Sequence, residues 1–177
     1  MNLKRSVNVV GVHTGGERND VITGGVLDIP GRTVFEKMRH LETQADELRQ
    51  FLLREPRGSV TQCVNLIVPP CDPEADTGFI IMEAESYPPM SGSNTICTVT
   101  AMLETGMLPM TEPYTELTLE APGGLVRVRA ECRNGKCMNV RFENVPCFVF
   151  GLDLPLNVPG LGTLRVDVAY GGMIYVL

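Results

Sequence analysis

The sequence predicts an α+β protein, and three observations support this fold class. Short segments in the second half alternate apolar and polar residues between brief turns, as antiparallel hairpins do. One segment in the first half carries an amphipathic helix pattern, and a later helical segment is apolar or small nearly all round. Because a helix without a polar face is expected to be buried, the later helix should lie inside the protein.

The composition narrows the classes of function. The 177 residues suffice for one domain, or for one lobe and part of another. A net charge of −6 and the lack of a Lys/Arg cluster argue against nucleic acid as a partner. We find no apolar run long enough for a transmembrane helix and no signal-peptide pattern, so we expect a cytoplasmic protein without a membrane partner. In that compartment the six cysteines should be reduced, and their spacing matches no zinc-site pattern.

The N-terminal part begins with a predicted strand. Residues 6–13 are rich in β-branched residues, which favours a strand, and residues 13–18 contain a glycine turn. Pro30 and Gly31 then interrupt the chain ahead of the first helix.

The first helix is expected to begin at a capping box. Thr33 has the spacing of an N-cap residue relative to Glu36, whose carboxylate can reach back to the Thr33 amide. Pro56 and Gly58 end the helix. Its apolar positions form one stripe that is too short for a coiled coil, so the helix should pack on a sheet. The stripe consists of Val34, Met38, Leu41, Ala45, Leu48 and Leu52.

The middle of the chain contains two predicted strands and the buried helix. Residues 59–68 and 77–84 have strand patterns, and residues 88–95 form a proline-rich loop. The buried helix follows this loop directly and ends near Glu104, with Gly106 as its C′ residue.

A hairpin is predicted within residues 126–143, with two alternative registers. A two-residue Asn-Gly loop would place apolar residues opposite polar ones, whereas a three-residue loop pairs Ala130 with Met138. We prefer the three-residue loop because it keeps the apolar residues of both strands on one face. This register places Cys132 and Cys137 on opposite faces of the hairpin.

Further strand-like segments follow from residue 146 to the end of the sequence. The last of them, residues 172–177, is apolar and stops without a turn, a charge or a tail. Because such a strand would have an unpaired and adhesive edge, we expect the protein to continue beyond Leu177.

Residues 90–95 (MSGSNT) combine features that suit a bound ligand. Gly92 lets a ligand approach the backbone, and free amides open the buried helix, where an anion such as a carboxylate is favoured. Ser91 would lie just outside this anion site, where its hydroxyl could face the α-carbon of a bound carboxylate. The simpler alternative is that Ser91, Ser93 or Asn94 only caps the helix.

Motifs along the whole chain resemble those of the proline racemase family. The family's His-Thr-Ala-Gly-Glu has a counterpart at residues 13–17, and its Glu-Pro-Arg-Gly at residues 55–58. The catalytic signature Met-Cys-Gly-His-Gly-Thr-Ile is similar to residues 90–96, and the Leu-Glu-Thr-Gly that ends the following helix is present at residues 103–106. Val-Asp-Val-Ala-Tyr-Gly-Gly recurs at residues 166–172. The sequence therefore resembles the N-terminal half of a family member.

This resemblance implies a fold similar to diaminopimelate epimerase, with two lobes that each wrap a curled, mostly antiparallel sheet around a central helix. Residues 1–144 would form the first lobe, and residues 145–177 the opening strands of the second. The active site would lie between the lobes, with one acid/base residue from each, so we expect this half alone to be inactive. The resemblance implies a small imino-acid substrate and neither a metal nor pyridoxal phosphate. A homodimer is compatible with the sequence, which does not fix the oligomeric state.

Three residues depart from the family's catalytic signature: Ser91 replaces a cysteine, Ser93 a histidine and Asn94 a glycine. By resemblance Ser91 would be catalytic, and Gly92, Ser93 and Asn94 would bind the substrate. A serine hydroxyl is a far weaker acid than a thiol, which disfavours symmetric racemisation of proline.

We therefore expect proton abstraction at the α-carbon of hydroxyproline, first as dehydration of trans-3-hydroxy-L-proline to a pyrroline-2-carboxylate. The alternative within the family is 2-epimerisation of 4-hydroxyproline or a proline racemase-like isomerisation. Two alternatives of another class remain open, namely a non-catalytic amino-acid-binding lobe and a pseudoenzyme that has lost its activity.

Overall fold

The computed structural model describes residues 6–177, and within them the chain forms two sheets and three helices. The helices are α1 Val34–Gln44, α2 Glu47–Leu53 and α3 Gly92–Glu104. The strands are β1 Asn8–Val10, β2 His13–Thr14, β3 Glu17–Gly24, β4 Cys63–Val68, β5 Thr77–Met82, β6 Tyr114–Ala121, β7 Gly124–Arg133, β8 Lys136–Glu143, β9 Phe148–Val158, β10 Gly162–Tyr170 and β11 Ile174–Val176. None of the helices in this range has the length and apolar character needed to cross a membrane.

The larger sheet has the strand order β1-β3-β4-β5-β6-β7-β8, and β2 forms a hairpin with β3. Only two pairs in the described range, β3 with β4 and β5 with β6, run parallel. The smaller sheet has the order β11-β10-β9 and is antiparallel throughout. The predicted α+β class with mostly antiparallel strands is therefore confirmed.

Helix α3 lies against one face of the larger sheet, while α1 and α2 cover part of the other face. Successive residues of β5 show this division, since Ile80 packs towards α1 and Ile81 towards α3. Helix α3 contacts β2, β3 and β4 as well as β8, so strands far apart in the sheet order both reach it. The sheet thus curls around α3, and residues of α3 such as Cys97, Thr98 and Val99 are fully buried, as predicted.

The N-terminal strand prediction needs two corrections. Residues 6–13 do not form one strand, because the chain separates into β1 and β2. The glycine turn that follows is tight, with both Gly15 and Gly16 at positive φ, and leads into β3, which the sequence did not predict. Asn19 and Asp20 on this strand are polar yet buried, so the apolar alternation that signals a strand is missing.

The predicted first helix is in fact two helices. The apolar stripe continues through both, but Ala45, at φ −145° and ψ 43°, leaves the helical region and separates α1 from α2. Thr33 is the N-cap as predicted, since its Oγ1 accepts from the Glu36 amide at 3.1 Å. The Glu36 carboxylate, however, accepts from the amide of Arg32 and not from that of Thr33.

The preferred hairpin register is wrong. The turn is a two-residue loop, with Asn134 and Gly135 at φ 54° and 71°, and a bulge after Glu131 corrects the pairing beyond it. Ala130 therefore lies opposite Val140 and not opposite Met138. The bulge keeps apolar residues together without a longer loop. The two-residue loop places Cys132 directly opposite Cys137, ahead of the bulge, which contradicts the expectation that they lie on opposite faces.

The smaller sheet carries many exposed large apolar side chains. The predicted strands from residue 146 onwards are confirmed, with β9 and β10 longer than expected. Of the predicted segment 172–177, only residues 174–176 form a strand, β11, which pairs with β10. The exposed residues are Phe148, Val149, Phe150, Leu152, Leu154, Leu156, Leu164, Ile174, Tyr175 and Val176. A surface of this character is typical of one that another part of a protein covers.

Candidate active site at the start of helix α3

The loop that enters α3 is held by two later segments of the chain. Pro89 O accepts from the amide of Gly123 at 2.8 Å, so the turn between β6 and β7 fixes the loop from one side. Gly172, at φ +107°, lies so close to Met90 that an added Cβ would be 2.8 Å from the Met90 carbonyl oxygen. Met90 itself is buried in the core around α3. The entry to the helix is thereby fixed before the candidate residues begin.

Helix α3 starts at Gly92, earlier than predicted, so the segment 90–95 is partly helical. Ser91 occupies the N-cap position in an extended conformation, and its side chain makes no capping hydrogen bond within residues 6–177. Its carbonyl oxygen instead accepts from the amide and the hydroxyl of Thr95, at 3.0 and 2.8 Å. The alternative that Ser91 merely caps the helix with its side chain is therefore not supported.

The four predicted site residues lie together, but they differ in exposure. Ser91, Gly92 and Ser93 are partly exposed, and Ser93 Oγ lies 3.4 Å from Ser91 Oγ. Asn94 is 0% exposed, and its Nδ2 donates to Ser91 Oγ at 2.9 Å. A ligand at the start of α3 would thus meet two hydroxyls and the glycine, while the Asn94 side chain lies behind them.

A layer of polar residues from the sheet lies behind the start of α3, and no local pattern in the sequence indicates it. Asn19 on β3 pairs with Cys63 on β4, and both are buried. Burial, together with the Glu83 carboxylate, raises the pKa of Cys63 to about 11, although a hydrogen bond from Asn94 acts in the opposite direction. The pKa of Glu83 is also raised, first by burial and then by the Glu17 carboxylate.

Cys97, one turn into α3, belongs to the same buried layer. Its sulfur lies 2.8 Å from Thr14 Oγ1 and 3.7 Å from Asn19 Nδ2, and the residue is 0% exposed. Burial raises the pKa of the Cys97 thiol, so it stays protonated at neutral pH. Neither buried cysteine has the exposed, low-pKa character of a catalytic thiol, and Cys97 is a core residue.

This arrangement combines an anion site with a hydroxyl. The amides of Gly92, Ser93 and Asn94 belong to the first turn of a 13-residue helix, where backbone N–H groups lack intrahelical partners. A carboxylate bound there would be favoured by these N–H groups and by the helix dipole. Ser91 Oγ stands beside this position and could exchange a proton with an adjacent carbon atom.

Comparison with known proteins identifies close relatives. The chain matches the family described as proline racemase over residues 9–177. A crystal structure of a hydroxyproline epimerase from Agrobacterium vitis with bound trans-4-OH-L-proline is 43% identical, with a TM-score of 0.92. A probable proline racemase from Agrobacterium radiobacter with bound carbonate is 44% identical, with a TM-score of 0.90.

The match covers nearly all of this chain but about half of each relative. The alignments include 99% of this chain and 52% of the first relative, and 97% and 51% for the second. Two distant structures share the fold, a methylitaconate-delta-isomerase at 14% identity and TM-score 0.54, and a phenazine biosynthesis protein from Bacillus anthracis at 13% and 0.57. They cover 97% and 98% of this chain, and 88% and 55% of their own lengths.

Proposed function

Because the chain belongs to the proline racemase family, we propose that it forms the first half of a 4-hydroxyproline 2-epimerase that uses neither a metal nor pyridoxal phosphate. The observation that carries this proposal is the position of Ser91, whose partly exposed hydroxyl stands at the start of α3 beside first-turn backbone amides, which have no intrahelical partners. The relative with bound trans-4-OH-L-proline supports the choice of substrate. Epimerisation therefore takes precedence over the dehydration that the sequence alone favoured.

In the proposed reaction the substrate carboxylate binds to the first-turn amides of α3, the backbone N–H groups of Gly92, Ser93 and Asn94. These donors stabilise the negative charge that develops when the α-proton leaves. Ser91 exchanges a proton with one face of the α-carbon, and a residue outside this chain serves the other face. Two acid/base groups on opposite faces invert the configuration, whereas one group alone returns the proton to the face from which it came.

The second lobe is also part of the proposal. Residues 1–144 form the first lobe and residues 145–177 open the second, which is supported by the change of sheet between β8 and β9. The exposed apolar side chains of β9 to β11 would then be covered by the remainder of the second lobe. The chain spans 52% of the length of the hydroxyproline epimerase it resembles.

Dehydration of trans-3-hydroxy-L-proline is the second candidate, and the replacement of the family's cysteine by Ser91 favours it. Dehydration needs one base for the α-proton and a route for the β-hydroxyl to leave, so a weaker second acid/base group is sufficient. One assay distinguishes dehydration from epimerisation. Formation of a pyrroline-2-carboxylate from trans-3-hydroxy-L-proline, with no inversion of trans-4-hydroxy-L-proline, would establish dehydration.

The test of the main proposal is solvent-deuterium exchange at the α-carbon, followed by NMR with the full-length protein. Wild type should invert trans-4-hydroxy-L-proline and incorporate deuterium. Ser91→Ala should lose inversion and lose exchange of the epimer whose α-hydrogen faces Ser91, while exchange of the other epimer persists. Unchanged exchange of both epimers in Ser91→Ala would contradict the role of Ser91. Binding of substrate without exchange in wild type would instead favour a non-catalytic binding protein.

A further inference from the structure

We infer that Asn94 is a positioning residue that holds the Ser91 hydroxyl as a proton donor, an inference that rests on the proposed function. The Asn94 amide donates to Ser91 Oγ at 2.9 Å from a site that is 0% exposed. Residues three positions apart lie on the same side of a helix, so the contact is local and is made before any ligand binds. A buried side chain with this contact acts on Ser91 and not on the substrate.

The Asn94 amide is the donor in this hydrogen bond. An asparagine amide has two N–H donors on one atom and an acceptor on the other. The atom of Asn94 that contacts Ser91 Oγ is Nδ2, at 2.9 Å. Asn94 Oδ1 has no hydrogen-bond partner among the residues that the structure describes.

An N–H donor on Ser91 Oγ limits the hydrogen bonds that the Ser91 hydroxyl can form. Hydroxyl groups have one O–H donor and two acceptor lone pairs. With one lone pair engaged by Asn94, the O–H hydrogen is left to donate to Ser93 Oγ, 3.4 Å away, or to a bound substrate. When Ser91 protonates the carbanion, the O–H bond breaks, the carbanion electron pair forms the new C–H bond, and the negative charge moves to Ser91 Oγ.

That charge is the obstacle for a serine, because its alkoxide is much less stable than a thiolate. Hydrogen bonds to an ionised acceptor are about twice as strong as neutral ones, so the Asn94 N–H stabilises Ser91 Oγ most when it carries the charge. Asn94 thereby favours proton exchange at Ser91 in both directions. The serine and the asparagine act as one unit, in place of the cysteine and glycine of the catalytic signature that this segment resembles.

The experiment is a mutant series in the full-length protein, assayed with trans-4-hydroxy-L-proline. Asn94→Ala should lower kcat about a hundredfold, the usual cost of one donor to a developing oxyanion, with KM within about threefold. The second variant is Asn94→Gly, which introduces the residue that the family signature has at this position. It keeps the inference testable if Asn94→Ala does not fold. Thr98→Val is the matched control, because Thr98 is one turn further along α3, is also 0% exposed and has a hydroxyl without a hydrogen-bond partner among the described residues. Its kcat should match wild type.

Two further measurements separate positioning from a structural role. An ionised aspartate only accepts hydrogen bonds, so Asn94→Asp should be inactive at high pH and recover about tenfold as the carboxyl becomes protonated and can donate. In the Ser91→Cys background, Asn94→Gly should cost less than about fivefold, because a thiol ionises without this support.

Three outcomes would overturn the inference. One is a kcat within about twofold of wild type in both Asn94→Ala and Asn94→Gly, which corresponds to less than about 0.5 kcal/mol. Another is an equal loss of kcat when Asn94→Gly is made in the Ser91 and in the Ser91→Cys backgrounds, which indicates a structural role for Asn94. The third is full activity of Asn94→Asp at high pH, which indicates an acceptor. Absence of turnover in wild type is a separate failure, because it removes the proposed function itself.

Discussion

The ring of Phe142 packs directly against the backbone of Gly92. An added Cβ on Gly92 would lie 2.9 Å from Phe142 Cζ, which is closer than carbon atoms approach without displacement. Phe142 belongs to β8 and Gly92 is the first residue of α3, so this contact closes the sheet against the start of the helix. The small size of residue 92 is therefore required by packing.

Gly92→Ala should lower the free energy of unfolding by about 1–3 kcal/mol, the usual cost of overpacking, and should also displace Ser91. Urea unfolding and kcat measure the two effects. Adding Phe142→Leu should restore most of the stability, because it removes the ring that the new methyl group meets. Gly11→Ala is the control, since its added Cβ would meet its nearest atom, Asp20 Oδ1, at 3.7 Å. Equal stability of Gly92→Ala and wild type would contradict the packing argument.

Asp46 should make stability depend on pH. Its carboxylate accepts from Arg49 Nε at 2.6 Å, from Gln50 at 2.7 Å and from the Tyr87 hydroxyl at 2.7 Å. Hydrogen bonds from Arg49 above all, then from Gln50 and Tyr87, hold the pKa of Asp46 well below its ordinary value, although burial opposes them. Because the folded pKa lies below the unfolded value of about 3.9, the stabilisation is complete at neutral pH and is lost as pH falls below about 5.

Asp46→Asn removes this charge, so it should cost about 1–3 kcal/mol at neutral pH and progressively less as pH falls. Urea unfolding midpoints between neutral and acidic pH measure the difference. The exposed ion pair of Asp153 with Arg165 provides a control. Asp153→Asn should leave the midpoint unchanged, because solvent screens exposed pairs. A constant difference between Asp46→Asn and wild type across the pH range would argue against the linkage.

The register of β7 and β8 next to their two-residue turn leads to a prediction about disulfide formation. Cys132 lies directly opposite Cys137, and both are free thiols. Diamide should link them by taking two electrons and two protons from the pair, with formation of one disulfide and the reduced hydrazine. In the three-residue-loop register the two side chains would lie on opposite faces and could not be linked.

Peptide mapping by mass spectrometry identifies the link, in a Cys147→Ser background that removes an exposed cysteine. Cys137→Ser is the control and should abolish the product. If Cys132 and Cys137 both remain unmodified while diamide oxidises other thiols, the register described for this hairpin is incorrect.

The parts of the fold that were predicted correctly depend on local patterns. Thr33 caps α1 and Gly106 follows α3 at φ +73°, because each requirement involves only neighbouring residues. Strand β3 was missed because Asp20 is buried through Arg18 and Gln62, partners whose contribution becomes visible only in three dimensions. The bulge after Glu131 was missed for a similar reason, because its position depends on how the hairpin packs against the core and not on the neighbouring residues alone.

In the candidate site, too, features set by neighbouring residues could be predicted and features set by remote contacts could not. The position of Ser91 before a buried helix was visible in the sequence, and the spacing of Ser91 and Asn94 permits a contact between them. The burial of Asn94 and the direction of its amide could not be predicted. They depend on how α3 packs against strands that are remote in sequence.

The curled sheet around α3 also bears on the time at which the site forms. The hydrogen bond between Ser91 and Asn94 spans three residues and can form as soon as the helix does. The walls around it are remote in sequence, since Thr14 and Cys97 are 83 residues apart and Thr100 and Cys137 are 37 apart. Closing such loops costs chain entropy and slows folding. During synthesis on the ribosome, α3 therefore cannot pack completely until β8 has emerged. We expect the site to be one of the last features of this half to become ordered.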